Sequence, residues 1–339
     1  MNAMTPLLTV RAPSPSDREA MRAFVLARPE AEPFHLPEWS EAIERGCGQR
    51  AHLLLAQDER GTITGYLPLT EMRSPLFGSA LVSTGFGVGG GILGEGADAL
   101  AEAAWRLASD LGCASVELRG GCLPAAWERR EGVYASFARD LPQDDDAILK
   151  AIPRKQRAEV RRSLGFGLEV TMGRDLDSHY RCYSESVRNL GTPVFPRTLF
   201  EAVLDGCDAD ILTVSRAGQP LASVLSLYMN GTVYPYWGGG TGDARTWRAN
   251  DLMYYELMRH AVRRGCTSFD FGRSKLGTGA FAFKKNWGFE PKPLVYAVRG
   301  DARETNPLSP KYRLQVALWK KLPLPLANLI GPPIARGLG

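Results

Sequence analysis

The sequence is poor in cysteine, and its six cysteines stand apart. Cys47, Cys113, Cys122, Cys182, Cys207 and Cys266 form no CxxC pair and have no histidine pair nearby. This pattern excludes a zinc ribbon and a disulfide framework, and leaves the cysteines as small, half-buried apolar side chains. No metal site and no redox cofactor are expected. No apolar run approaches the ~20 residues that a membrane helix needs. The N-terminal stretch MNAMTPLLTVRAP lacks a basic region followed by a long apolar core, so the expected location is the cytoplasm. Charge of one sign is missing too: 41 basic against 37 acidic residues, a net charge of +4, is too even for a dedicated nucleic-acid binder. Most of the cations are arginines, whose forked donors suit carboxylates and phosphates, so local clusters say more than the total.

With 44% apolar and 23% charged residues the chain has the balance of a folded globular protein. Its 339 residues exceed what one hydrophobic core usually serves, which predicts two domains of roughly 150 residues. The halves also resemble each other when slid past one another by about 155 residues. Residues 41–46 (EAIERG) match 201–206 (EAVLDG), each closing a helix at a glycine. The hairpin-like 53–69 parallels 211–227, and the helix-then-strand segment 99–120 parallels 252–273, with a shared Gly-Cys-x-Ser. Three blocks in the same order read as a duplication. Each copy is predicted to run helix, antiparallel hairpin, strand, loop, helix, strand, which gives a mixed, mostly antiparallel sheet flanked by helices. In the second copy Asn230-Gly231 marks a type I′ turn, and Asn250 or Asp251 is expected to cap the helix that starts near 252.

This order of elements resembles the GNAT acyltransferase fold. A tandem pair resembles the Fem family of peptidyl or aminoacyl transferases and its BioF-like acetyltransferase relatives, over roughly residues 30–300. The segment FDFGRSKLGTGAFAFKKNWGFEP (269–291) carries most of the likeness. The tail WKKLPLPLANLIGPP extends it to FemAB-like proteins encoded with exosortase (PEP-CTERM) and exopolysaccharide systems. The boundaries then expected are an N-terminal GNAT-like domain at 1–148, a basic linker helix at 149–166, a C-terminal GNAT-like catalytic domain at 167–300 and a tail at 301–339.

Residues 269–291 read as a strand that ends beside a pocket and a short helix capped by Thr278 and stopped by Gly288. Phe281 with Phe283 or Trp287 is its core side, and Lys284 or Lys285 its pocket side. Acyl transfer to an amine needs two oriented substrates, a stabilised oxyanion and a base for the incoming ammonium. The resemblance implies that Lys284 binds the donor's phosphate-bearing part or the tetrahedral intermediate. Arg273 and Lys284 are the expected polarising groups and Asp270 the expected base; an Asp270–Arg273 ion pair is the structural alternative. Tyr236, Trp237, Arg248, Asn250, Ser274 and Lys285 complete the expected substrate site. Tyr234 and Tyr236 should share one strand face and Trp237 the other.

The acyl donor stays open between an aminoacyl-tRNA, an acyl-coenzyme A and an acyl carrier. GNAT enzymes hold the coenzyme A pyrophosphate in a glycine-containing loop at a helix N-terminus. The corresponding 245–251 has no glycine and ends in Asp251, while 91–97 has glycines but inserts Glu95. The glycine run 85–91 contains GxGxxG, but opens no helix directly and reads as a wide turn. Lys150, Arg154, Arg157 and Arg161 are spaced for one helix face that suits the phosphates of a tRNA, a lipid-linked diphosphate or an anionic bilayer. The tail is too short and too interrupted to span a bilayer; docking on the membrane's inner face and strapping onto the first domain are its two readings.

The expected function is N-acyl or N-aminoacyl transfer to an amine-bearing saccharide or peptide precursor of the cell envelope or an exopolysaccharide, lipid-linked or not. An acyl-coenzyme A-dependent N-acetyltransferase and a catalytically silent glycan-binding or partner-binding adaptor on the same scaffold are the alternatives.

Overall fold

The computed structural model describes residues 8–301 and 310–339, which form two compact units, and the expected 301–309 part of the tail lies almost wholly outside them. In the first unit the chain lays down β1 (Thr9–Arg11), α1 (Arg18–Leu26), α2 (Pro37–Cys47), β2 (Arg50–Gln57) and β3 (Ile63–Ser74). It continues through β4 (Gly78–Ser83), β5 (Leu93–Gly94), α3 (Ala97–Asp110), β6 (Ser115–Arg119) and β7 (Glu128–Arg130). The sheet order is β1-β2-β3-β4-β6-β15-β7, with β5 paired to β3, where β15 (Tyr296–Gly300) arrives from far along the chain. Leu67, Leu69, Leu81, Val116 and Leu118 from the strands meet Leu100, Ala101, Ala104 and Ala108 along one face of α3. That i, i+4 spacing of small residues lets the helix lie close to the sheet.

The second unit opens with β8 (Tyr134–Asp140), α4 (Asp145–Ala151), α5 (Arg154–Leu164) and β9 (Glu169–Gly173). Then follow α6 (Leu176–Leu190), α7 (Arg197–Gly206), β10 (Ala209–Arg216), β11 (Gln219–Met229) and β12 (Thr232–Gly240). It finishes with α8 (Ala249–Arg263), β13 (Ser268–Lys275), α9 (Gly279–Asn286), β14 (Lys292–Pro293), α10 (Arg313–Trp319) and α11 (Leu324–Ala335). Its sheet order is β9-β10-β11-β12-β13-β8-β14. Position for position this repeats the first sheet, including one parallel pair, β4 with β6 and β12 with β13, among antiparallel neighbours. The mixed, mostly antiparallel α/β sheet and its duplication are therefore as expected. Asn230 and Gly231 take φ of +47° and +70°, the type I′ geometry that joins β11 to β12.

Several details differ from the expectation. The units part at Glu131 and Gly132 rather than at 148. The reason is a reciprocal exchange: β8, early in the chain, pairs with β13 of the second sheet, while β15, expected within the second domain, pairs with β6 of the first. The segment 149–166 is no linker, because α5 buries Val160 and Ser163 and packs on α8 inside the second unit. Nor is its basic stripe continuous, since Ile152 and Pro153 are extended and separate Lys150 on α4 from Arg154, Arg157 and Arg161 on α5. The tail divides: α10 and α11 belong to the second unit, whereas Arg336–Gly339 belong to the first, where Gln49 Nε2 donates to the Arg336 carbonyl at 2.8 Å. Helix α2 runs past Gly46 and ends at Gly48, whose φ of +65° supplies the left-handed cap. Arg248, not Asn250 or Asp251, is the N-cap of α8.

Candidate functional site

The parallel pair of the second sheet is short. β12 and β13 are bonded only through Thr232–Ser268 and Val233–Phe269. Beyond Asp270 the two strands part. β12 stays with β11 as far as Gly240, and β13 stays with β8 from Ser268 to Lys275, its register interrupted between Asp270 and Arg273. Gly272, at φ +70°, makes that interruption. The glycines closing β12 are there for close packing: a Cβ on Gly239 would stand 2.5 Å from Ser186 Cβ, and one on Gly238 3.1 Å from Tyr254 Oη.

Past β13 the chain folds back as α9. Thr278 Oγ1 accepts from Phe281 N at 3.3 Å, and Gly288 at φ +82° follows its last turn. Trp287 is fully buried, and Phe281 and Phe283 pack on the same core. This anchoring brings Lys284 back over β13, where Nζ donates to the carbonyls of Gly272 at 3.1 Å and Arg273 at 2.8 Å. The rings of Phe137 and Phe271 stand 5.5 and 5.7 Å from the ammonium. Burial pushes the Lys284 pKa down to about 7, with Asp270 opposing that shift and Arg273 adding to it. Asp270 is pushed the other way: burial raises its pKa, against the Gly272 N–H it accepts at 2.7 Å and the positive charges of Lys284 and Lys292. Among the described residues no direct ion pair joins Asp270 to Lys284.

The other expected residues divide. Ser274 is buried beside this site and its hydroxyl has no hydrogen-bond partner among the described residues. Arg273 lays its guanidinium 4.7 Å over the Tyr134 ring on β8. Lys285 is exposed on α9. Trp237, expected among the substrate contacts, is instead a core residue, 4% exposed and edge-on to Phe200 at 4.9 Å. Tyr236 is half-buried and occupies the bulge opposite Leu225 and Ser226, which shifts the alternation that placed Tyr234 and Tyr236 on one face.

At the start of α8 the polar residues are held by α5. Arg248, at φ +52°, pairs with Glu159 and bonds the Arg245 carbonyl. Asn250 abuts Gly240, whose Cβ, were there one, would lie 2.9 Å from the amide oxygen. Asp251 accepts from Gln156, and burial lifts its pKa to about 6. A carboxylate thus stands where a phosphate would meet the helix N-terminus. On α5, Arg157 Nε donates to the Ile152 carbonyl at 3.1 Å, while Arg154 and Arg161 are exposed, as is Lys150 on α4.

Tyr254 was not singled out in the sequence. Its ring lies 4.7 Å from Phe271 and its hydroxyl beside Gly238, with burial raising its pKa to about 12. A tyrosine within a helical pattern carries no sequence signal of a site, and only the structure shows where its oxygen lies.

The equivalent parting in the first unit is filled. After β4 the glycine run forms the expected turn, and Arg119 of β6 donates to the carbonyls of Thr84 at 3.1 Å and Gly87 at 2.8 Å. His35 Nε2 lies 3.1 Å from the Gly91 carbonyl, and Gly90 N donates to Glu32 at 3.1 Å. Among the described residues no group of His, Cys, Asp and Glu gathers as metal ligands, and no helix is long and apolar enough to cross a membrane.

Residues 150–285 match the family described as acetyltransferase (GNAT) domain. No curated protein matches the chain. Among solved structures, FemX superposes with a TM-score of 0.63 at 15% identity, covering 85% of this chain and 96% of that one. L-PGS from Bacillus licheniformis gives 0.53 at 14%, covering 97% and 98%. A tandem GNAT protein from the clavulanic acid biosynthesis pathway gives 0.53 at 12%, covering 87% and 98%. At these identities the likeness is one of fold. The chain is a protein of two tandem GNAT-like domains, the second of which contains the segment that matches the GNAT acetyltransferase family.

Proposed function

We propose that this protein is a Fem-type N-acyltransferase that moves an acyl or aminoacyl group onto an amine of a cell-envelope or exopolysaccharide precursor. The observation that carries this reading is the parting of β12 and β13 at Asp270, with Lys284 held over the carbonyls that follow it. In GNAT folds the parted parallel pair is where two substrates meet, and in the second unit that parting brings Asp270, Ser274 and Lys284 together. The amine nitrogen attacks the donor's ester or thioester carbonyl and the C–N bond forms. The carbonyl oxygen becomes an oxyanion, and its collapse breaks the C–O or C–S bond. Asp270 takes the proton released by the attacking amine and passes it to the departing oxygen or sulfur, so the leaving group departs protonated and Asp270 is restored as the carboxylate.

Two of the three Lys284 N–H groups are used by backbone carbonyls, which leaves one for the donor's carbonyl oxygen. In a low-dielectric site such a donor is worth far more than in water. Asp251 at the start of α8 weighs against a coenzyme A pyrophosphate there and favours a donor held elsewhere, such as an aminoacyl-tRNA or an acyl carrier. Mass analysis of envelope polymers from cells with and without the protein tests the reading. The expected result is an amide-linked acyl or aminoacyl group that disappears with the protein; identical polymers would overturn it.

A further inference from the structure

Helix α11 is built inside out. Its buried residues are Ala327, Gly331 and Ala335, spaced i, i+4, i+8 on one face. Gly331 fits there because a Cβ would already stand 3.2 Å from the Val194 nitrogen and 3.5 Å from Trp319 Cζ2. Asn328 Nδ2 adds a bond to Ser184 Oγ on α6 at 3.3 Å. The large apolar residues point the other way: Leu326, Leu329 and Ile330 are exposed, Leu329 by 73%. An ordinary surface helix does the reverse.

The preceding helix also exposes large apolar residues. Leu314 and Leu318, one turn apart on α10, are 70% and 59% exposed. Gly191 packs so tightly on α10 that a Cβ would lie 2.5 Å from Val316 Cγ1, which sets the 69% exposed Leu190 beside it. Scattered exposed leucines need no explanation, but six large apolar residues around two packed helices do.

The charge carried by this segment is of one sign. Residues 311–339 hold Lys311, Arg313, Lys320, Lys321 and Arg336 and not one Asp or Glu, in a chain whose charges otherwise nearly balance. Lys311, Arg313, Lys320 and Lys321 are all exposed. Apolar side chains on a segment whose charges are all positive match the chemistry of an anionic lipid surface: acyl chains below, phosphates above. A second copy of this chain would bring cation against cation.

We propose that α10 and α11 form a docking surface for an anionic bilayer, entered by Leu314, Leu318, Leu326 and Leu329 and steered by Lys311, Arg313, Lys320 and Lys321. The surface lies wholly in the second unit and does not depend on the catalytic reading.

The test is flotation of the purified full chain with vesicles of phosphatidylcholine alone, or with about one third phosphatidylglycerol, the anionic component. Wild type is expected to float with the anionic vesicles and not with the neutral ones, and to be released by salt. Each cation removed should weaken partition about fivefold, so a Lys320→Glu/Lys321→Glu double variant should lose more than tenfold. A Leu318→Ser/Leu329→Ser variant, altered only at exposed positions and so expected to fold, should lose binding at any salt concentration. Failure of wild type to float, or flotation of either double variant at the wild-type level, would overturn the proposal. So would a wild-type dimer that the leucine variant converts to monomer without any change in vesicle binding.

Discussion

Lys284 Nζ lies 2.8 Å from the carbonyl oxygen of Arg273, eleven residues earlier in the chain, and in the same place donates to Gly272. The ammonium is thereby fixed by backbone rather than by a carboxylate. Burial, only partly offset by the charges that face each group, brings its pKa down to about 7 and raises that of Asp270.

This pairing predicts a bell-shaped pH profile for acyl transfer. The acidic limb belongs to the ionisation of Asp270 and lies above the ordinary carboxylate range; the alkaline limb, near pH 7, belongs to the loss of the Lys284 proton. Because the two groups interact, the limbs are properties of the pair. Lys284→Arg, which cannot lose its proton at these pH values, should carry the alkaline limb out of the measured range at reduced kcat. An unmoved alkaline limb in that variant would detach Lys284 from the chemistry.

Asp251 predicts a stability effect of defined sign. Its folded pKa is raised to about 6 by burial, above the value of an exposed carboxylate. The folded state therefore holds this proton more tightly. The resulting stabilisation is full below the unfolded pKa near 4 and lost as pH rises through about 6. Asp251→Asn should raise Tm at pH 7.5 and flatten the fall in Tm between pH 4 and 6, by thermal denaturation followed in circular dichroism. A lower Tm at pH 7.5 with an unchanged slope would show that the carboxylate is stabilising in its ionised form.

The filled parting of the first unit predicts an order of damage. A Cβ on Gly91 would stand 2.0 Å from the Gly120 carbonyl oxygen, a backbone atom, whereas one on Gly89 would meet the Glu32 carboxylate, the far end of a flexible side chain. Gly91→Ala should cost about 1–3 kcal/mol or more, as overpacking does, and Gly89→Ala less. Urea denaturation of the two variants checks the order.

The duplication was legible because helix and hairpin periods are local, and both copies keep them. The exchange of β8 and β15 was not. YASFARD and YAVRG are equally acceptable strands, and nothing local says which sheet each joins. The same limit governs the site. The capped helix 279–286 and its aromatic anchors could be read from Thr278, Gly288 and the spacing of Phe281, Phe283 and Trp287. The acceptors for Lys284 are backbone carbonyls, which have no sequence signature. Arg248 was read as a free ligand-binding cation because its partner, Glu159, comes from a distant helix. Trp237 and Tyr236 both read as substrate contacts because the strand alone does not say which of its faces the helices cover; Trp237 is on the covered one.

The most direct test of the central claim is complementation. Cells lacking the protein receive either the wild-type chain or Lys284→Met, a variant of similar length without the charge, with folding verified by Tm, and their envelope polymers are compared by mass spectrometry. The account predicts that wild type restores the amide-linked group and that Lys284→Met falls about a hundredfold short, the scale of losing one oxyanion donor. Full modification by a folded Lys284→Met protein would contradict it.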